Sequence, residues 1–332
     1  MAIIHYSSLD TGAPVLPSVS GQRWIDNLRL ILKACLVDGY GSKPAAGWTV
    51  GHEHADGFSL SNGEGFINFV SWSASVVSVY LMETISDGSA ALAQGYNRRS
   101  GPWFDGQSDT GRQYLYASNF YSTFGNKQWM VVADERTAIL LWSGYDAVVD
   151  SPKQSGGALY FGAYKPVLGG SGFCSLGGNV SNGTPYLASG AWAAGASLRN
   201  PVDGTVVQGS SPLYRVGAVN EGYAYIANNK TKLAPALLRP VRASIMGRGL
   251  GISGSTSAPY DTHCGLLRGL IAEPGLSDAY LSKVLPVLGV ASPTYQDKLR
   301  PITLPNGVQW VPLYPHVEDL GVFVSLAAAD WE

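Results

Sequence analysis

The first regular hydrophobic pattern in the chain predicts an amphipathic α-helix over Ser20–Val37. Its apolar residues recur at helical spacing and form one stripe, and most charged residues of the segment lie off that stripe. The apolar positions are Trp24, Leu28, Ile31, Leu32 and Cys35. Ser18 or Ser20 is suited to cap the N-terminus, and Gly39 stands where many helices end in a left-handed residue.

Beyond this helix the pattern changes to that of β-strands. Short segments rich in β-branched and aromatic residues are bounded by Gly, Asn and Asp, which is typical of strands and turns. The predicted strands cover residues 47–50, 65–72, 74–82, 128–133, 137–142 and 158–164. The short polar turn Asp134-Glu135-Arg136 joins two of these strands, so we expect a β-hairpin there.

The second half of the chain has shorter apolar segments. Residues 167–211 are rich in loop-forming residues and contain the pairs Gly169-Gly170 and Gly177-Gly178. A short helix is predicted at Ser277–Leu285, because Ser277 can cap it and Pro286 would end it. The last third alternates short strands with Gly, Pro and Ser turns and ends in the apolar run 320–326.

These patterns predict a β-rich α+β fold. An N-terminal amphipathic helix is followed by antiparallel, sandwich-like β-sheet modules with long Gly-rich loops. We expect an N-terminal arm and helix over residues 1–45, a β-rich domain over 46–165, and a second β-rich region over 166–332. No repeat of fixed period is seen, which argues against solenoids and propellers.

The composition indicates a chain that assembles with other subunits. Only 14% of the 332 residues are charged, whereas about 25% is usual for soluble globular proteins. The chain also contains 18 Tyr, 9 Trp and 9 Phe. Charged residues are depleted from interface cores and aromatic residues are enriched there, so we expect other subunits to cover much of this surface. A secreted β-protein with a Ser/Thr/Asn/Gly surface is the alternative.

Charge and hydropathy narrow the classes of partner. The net charge of −2 and the pI of about 6.2 provide no basic field for nucleic acid. No apolar run approaches the ~18 residues of a transmembrane helix, and the N-terminus shows no signal peptide. The cysteines are Cys35, Cys174 and Cys264; their odd number leaves a free thiol and favours folding in a reducing cytoplasm.

Candidate metal chemistry is confined to one short segment, residues 51–56. On a strand His52 and His54 would share a face, and Asp56 would extend the line. A solvated turn is the interpretation we favour, so we expect no metal and no cofactor.

Patterns of catalytic sites are not found. Residues 251–255 (Gly-Ile-Ser-Gly-Ser) misplace the second glycine of a nucleophile elbow. No glycine-rich phosphate-binding pattern lies between a strand and a helix. We therefore expect no catalytic residues and no enzymatic activity.

One group of aromatic residues lies in a polar, Gly/Ser/Asn-rich context. Their rings could stack on sugars or on a partner protein, or they could be core residues of a short-stranded domain. Both interpretations are kept open. The group comprises Trp103, Phe104, Tyr114, Tyr116, Phe120 and Tyr121.

The segment Leu32–Thr49 resembles one near the start of virion structural proteins of tailed bacteriophages. In those chains a helix is followed by Gly-Tyr-Gly-Ser-Lys and then by Ala-Gly-Trp-Thr, which are residues 39–43 and 46–49 here. Residues 128–137 also resemble their hairpin. The resemblance covers about residues 20–145 and brings no catalytic residues with it.

The resemblance implies a structural subunit of a bacteriophage virion, assembled in the host cytoplasm. We expect it in the tail tip or baseplate, in contact with other tail or baseplate proteins and with copies of itself. A capsid-decorating protein, or a module that binds a glycan on the host surface, is the alternative. A tail-associated hydrolase is the third interpretation.

Overall fold

The structure, a computed structural model, describes most of the first hundred residues and separate parts of the remainder. The described residues are 2–17, 22–100, 103–104, 113–116, 127–144, 156–166, 169–178, 195–199, 214–218, 241–248, 261–273, 300–304, 306–313 and 321–332. Ser18, Ser20 and the helix predicted at Ser277–Leu285 lie outside this part of the chain.

The predicted N-terminal helix is confirmed as α1 (Trp24–Lys33), which continues as a π-helical turn over Ala34–Asp38. The N-cap residue is Arg23, whose side chain makes no capping hydrogen bond. Its guanidinium instead pairs with Asp26 in the first turn, with Nε 3.0 Å from Oδ2. Gly39 ends the helical segment with a φ of 77°, a value that glycine adopts at little cost.

Twenty-one strands lie in the described residues. They are β1 (Ile4–Ser7), β2 (Thr49–His54), β3 (Gly57–Ser61), β4 (Phe66–Ser73), β5 (Val76–Met82), β6 (Thr84–Asp87), β7 (Gln94–Tyr96), β8 (Arg99–Ser100), β9 (Trp103–Phe104), β10 (Gln113–Tyr116), β11 (Lys127–Ala133), β12 (Thr137–Gly144), β13 (Gly156–Pro166), β14 (Gly172–Gly178), β15 (Gly195–Ser197), β16 (Tyr214–Ala218), β17 (Val241–Arg248), β18 (Asp261–Glu273), β19 (Ile302–Thr303), β20 (Gln309–Leu313) and β21 (Gly321–Ser325). The β-rich α+β prediction is confirmed.

The strands form three sheets. The largest has 12 strands, in the order β1-β11-β12-β13-β18-β21-β20-β19, with β14 to β17 attached beside β13 and β18. A seven-stranded sheet runs β2-β3-β4-β5-β8-β9, with β10 also paired to β5, and β6 pairs with β7 alone. Neighbouring strands are antiparallel throughout the described pairs.

The predicted hairpin is confirmed as β11 and β12, with Trp129 opposite Trp142. Residues of β11 enter two different cores in alternation, because successive side chains of a strand point to opposite faces. Trp129 and Val131 join the core on one face of the large sheet, and Met130 and Val132 join the core on the other. The hairpin is therefore buried on both sides.

Helix α1 and the seven-stranded sheet pack against the first of these faces. Trp24 of α1 lies 5.6 Å from Trp142 between ring centroids. Phe69 of β4 lies 6.0 Å from Phe161 of β13 in an edge-to-face contact. These aromatic pairs join the helix and both sheets in one hydrophobic core.

The described part of the second half has strands within the loop-rich stretch and on both sides of the suggested boundary. Residues 167–211 are not all loop, because β14 and β15 lie inside this stretch and Gly177 and Gly178 are strand residues. The 12-stranded sheet contains strands from both sides of residue 165, so the boundary suggested there does not separate two sheets. The apolar run 320–326 contains β21, as predicted.

Candidate functional site

The loop that follows the helix packs against the N-terminal arm, residues 2–17. We call residues 39–48 the junction loop. The hydroxyl of Tyr40 donates to Asp10 Oδ2 at 2.8 Å and accepts from the N–H of Ser7 at 3.1 Å. Lys43 Nζ donates to the carbonyl of His5 at 2.5 Å. The polar groups of Tyr40 and Lys43 are thus used to fasten the arm to the loop.

The other end of the junction loop completes the helix and reaches the hairpin. The N–H groups of Ala46 and Trp48 donate to the carbonyls of Cys35 and Leu36, at 3.1 and 2.9 Å. Terminal helix carbonyls need such partners. The buried indole N–H of Trp48 donates to the carbonyl of Asp134 at 2.9 Å. The junction loop therefore joins arm, helix and hairpin.

The sequence cluster of His52, His54 and Asp56 does not form a shared site. His52 is buried, with Nδ1 3.0 Å from Ser59 Oγ and Nε2 3.3 Å from the carbonyl oxygen of Ala91. His54 Nδ1 accepts from the N–H of Asp56, whose carboxylate pairs with Arg23. The solvated turn expected here is wrong for His52.

Burial lowers the pKa of His52, because the apolar surroundings disfavour the imidazolium. A carbonyl oxygen only accepts, so the ring nitrogen facing Ala91 carries the proton and the other accepts from Ser59. Across the described ranges, no three His, Cys, Asp or Glu side chains are arranged to hold a metal ion.

Two of the three cysteines are buried free thiols, Cys35 and Cys174. Burial raises the pKa of both thiols, so they stay protonated and act as small apolar side chains. Cys264 belongs to β18, but its side chain lies outside the described part.

An exposed aromatic pair lies at the tip of the β4–β5 hairpin. Ser71 lies opposite Val77 and Ser73 opposite Val76, so Trp72 is the extra residue of a β-bulge. Bulges often re-aim a side chain, and Trp72 is 52% exposed. Its ring lies 6.2 Å from that of Tyr114 on β10.

The side chains of the other members of the predicted aromatic group lie outside the described part. Trp103 and Phe104 form β9 and Tyr116 ends β10, with side chains outside the described part. Phe120 and Tyr121 lie outside it altogether. Of this group only Tyr114, which is half-buried, can be assigned to a surface pair.

A cleft of about 370 Å³ opens where the β3–β4 turn meets β14. Its polar lining residues are Glu64, Glu83, Thr84, Ser171 and Arg199, and its apolar ones are Phe173 and Leu198. They come from segments up to 135 residues apart in the sequence. No local motif therefore predicts the cleft, and the sequence analysis missed it.

Both carboxylates of the cleft are paired with arginine. Glu64 Oε1 accepts from Arg136 Nε at 2.7 Å, and Oε2 accepts from the hydroxyl of Ser171. Arg199 binds Glu83 in a bidentate manner, with Nε–Oε1 at 2.8 Å and Nη2–Oε2 at 2.9 Å. The formal charges of these four side chains cancel.

Asn97 holds one wall of this cleft in place. It is the only residue other than glycine with a positive φ, 54°, among those the structure describes. Its Nδ2 donates to Glu83 Oε1 at 2.8 Å and also to the carbonyl of Leu198. Asparagine tolerates this conformation better than most residues, and unusual backbone is often found where a site is held in shape.

No helix in the described ranges is long and apolar enough to span a membrane. No family profile matches the chain, and no curated protein matches it.

Proposed function

We propose that this chain is a structural subunit of a bacteriophage virion, located in the tail tip or baseplate. It acts through contacts with other tail or baseplate proteins and with copies of itself, after assembly in the host cytoplasm. The observation that carries the proposal is that the junction loop holds the N-terminal arm, the helix and the hairpin together. This loop belongs to the segment that resembles phage virion proteins.

The distinctive side chains of the junction loop have partners within the chain. Tyr40 and Lys43 bind the N-terminal arm, and Trp48 binds the hairpin. Gly41 lies against the arm so closely that an added Cβ would be 2.6 Å from the carbonyl oxygen of Thr11. The residues that resemble those of phage virion proteins therefore stabilise the fold of this chain. This supports a structural role for the chain.

The surface supports assembly as well. The large exposed hydrophobic residues of the described part are Leu9, Val15, Leu30, Trp72 and Tyr96. Three of these belong to the first 30 residues, and Val15 is 87% exposed. Interface cores are apolar and poor in charge, so the N-terminal arm and the outer side of α1 are the surfaces we expect neighbouring subunits to cover.

Immunogold labelling of purified particles tests the proposal. Label at the distal tail is the expected result. Label over the capsid would move the assignment to head decoration, and absence of the protein from particles, checked by mass spectrometry, would refute a virion role.

A surface variant tests the docking region. Val15→Asp places a charge on a side chain that is already in solvent, so the chain should fold normally but enter particles less efficiently. Thr303→Asp adds the same charge at an exposed position of β19 and is the matched control. Equal incorporation of both variants would contradict the assignment of the arm as an interface.

A further inference from the structure

We infer that the cleft beside Glu64 and Glu83 is a binding site for a neutral saccharide. The inferred saccharide site goes beyond the proposed role in virion assembly and does not depend on that role. Sugar binding and incorporation into particles are measured separately, so either one can fail without the other. The argument uses the size of the cleft, its charge balance, its hydrogen-bonding groups and an aromatic ring at its edge.

The size of the cleft fits a small ligand. Its volume of about 370 Å³ lies within the roughly 300–1,000 Å³ that is usual for small-molecule sites. The buried side chains of Phe173 and Leu198 give it an apolar lining. Such a cleft holds a short piece of an oligosaccharide and is too small for a folded partner.

The charges of the cleft select against ions. An anion would meet Glu64 and Glu83, and a cation would have to replace Arg136 or Arg199 as their partner. Burying a charge without a counter-charge is costly. A neutral polar ligand avoids both costs.

The hydrogen-bonding groups of the cleft call for a ligand that both donates and accepts. Carboxylates only accept and guanidinium groups only donate. Glu64 receives one donor on each oxygen in the described contacts, so lone pairs remain for a ligand. Hydroxyl groups satisfy both kinds of partner, and a sugar ring carries several of them side by side.

An exposed aromatic residue, Tyr96, is the strand partner of a residue that lines the cleft. Tyr96 of β7 is directly opposite Thr84 of β6, and Thr84 lines the cleft. Directly paired residues of antiparallel strands project from the same face. The ring of Tyr96 is 58% exposed, so it can offer its face to the C–H groups of a sugar ring at the cleft edge.

The cleft is held in shape before any ligand arrives. Asn97 and Arg199 fix Glu83, and Arg136 and Ser171 fix Glu64. Arranging polar groups in advance reduces the cost of binding. The unusual φ of Asn97 is consistent with a wall kept rigid for this purpose.

An array of immobilised oligosaccharides, probed with the full chain, tests the inference. The array carries neutral oligomers of glucose, galactose and N-acetylglucosamine, together with sialylated and sulfated glycans. We expect binding to at least one neutral oligomer, and calorimetry then gives its Kd. Binding to none of the neutral oligomers, or to charged glycans alone, would overturn the inference.

Variants then locate the binding. Tyr96→Ala should weaken binding of the neutral oligomer about tenfold, whereas Tyr96→Phe should retain it. Glu83→Gln should weaken it as well. Trp72→Ala removes another exposed ring and is the matched control, expected to leave Kd unchanged.

Because Tyr96 is exposed, its variants should fold, which a thermal melt verifies for each protein. The Tyr96 pair remains decisive even if Glu83→Gln proves unstable. Unchanged affinity in Tyr96→Ala, or loss of affinity only in Trp72→Ala, would refute the cleft as the site.

Discussion

The side chains of Asp134 and Arg268 form a buried ion pair that joins the β11–β12 turn to β18. Nη1 and Nη2 of the guanidinium lie 3.0 and 2.6 Å from the two carboxylate oxygens. Asp134 Oδ1 also accepts from the N–H groups of Arg136 and Thr137. Arg268 Nε donates to the carbonyl of Trp331. The side chain of Arg268 therefore joins β18 to the β11–β12 turn and to Trp331.

Arg268→Met should destabilise the protein strongly. The substitution keeps most of the side-chain volume but leaves the carboxylate of Asp134 buried without its counter-charge. Breaking a buried pair in this way typically costs about 3–5 kcal/mol. Urea unfolding of the full chain gives the free energy of unfolding.

Arg136→Met is the matched control, because it breaks the partly exposed pair with Glu64. Exposed pairs contribute about 0–1 kcal/mol. Similar losses in the two variants would show that the buried pair has no special role.

Leu28→Ala should lower the free energy of unfolding by about 2–5 kcal/mol. Leu28 is fully buried between α1 and the sheets, so the shorter side chain leaves a cavity. Leu30 lies two residues later on the outer side of the same helix and is partly exposed. Leu30→Ala should therefore cost about 1 kcal/mol or less, and equal effects would contradict the observed orientation of the helix.

Gly41→Ala should destabilise the junction loop more than Gly63→Ala destabilises the β3–β4 turn. Both glycines have positive φ, 55° and 87°, so alanine is strained at either position by about 1–2 kcal/mol. Only Gly41 also lacks space, because its added Cβ would meet the carbonyl of Thr11. Thermal melts of the two variants measure the difference, and a larger shift for Gly63→Ala would refute the steric argument.

The sequence predicts those helices and hairpins that are determined by residues close together in the chain. The helix followed from the spacing of Trp24, Leu28 and Leu32, and the β11–β12 hairpin from two apolar strands around a polar turn. Arg23 as N-cap was missed, because its side chain makes no capping hydrogen bond and pairs with Asp26 and Asp56 instead.

Features formed between distant segments could not be predicted in this way. The cleft needs Glu64, Glu83 and Arg199 to meet, and no spacing rule relates them. Asp134 was predicted as a turn residue, but its partner Arg268 is 134 residues away. His52 was expected in solvent, because nothing in its neighbourhood in sequence shows that residues near Ala91 would cover it.

The stability of the protein should fall as the pH drops below about 6.5, the ordinary pKa of histidine, and His52 should account for part of the loss. Burial lowers the pKa of His52 in the folded chain, whereas the unfolded imidazole titrates near its ordinary pKa of about 6.5. Between these two values the unfolded chain binds more protons, so stability rises with pH there and is lost on acidification. The nearby charges of His54 and Arg29 act in the same direction.

His52→Gln removes this titration while leaving a side chain that can hydrogen-bond to Ser59. Its free energy of unfolding, measured in urea at several pH values, should depend less on pH than that of the wild type. His5→Gln is the matched control, because it removes a half-buried imidazole on β1, which belongs to the other large sheet. If His52→Gln keeps the full pH dependence of the wild type, protonation of the buried imidazole is not what opposes folding at low pH.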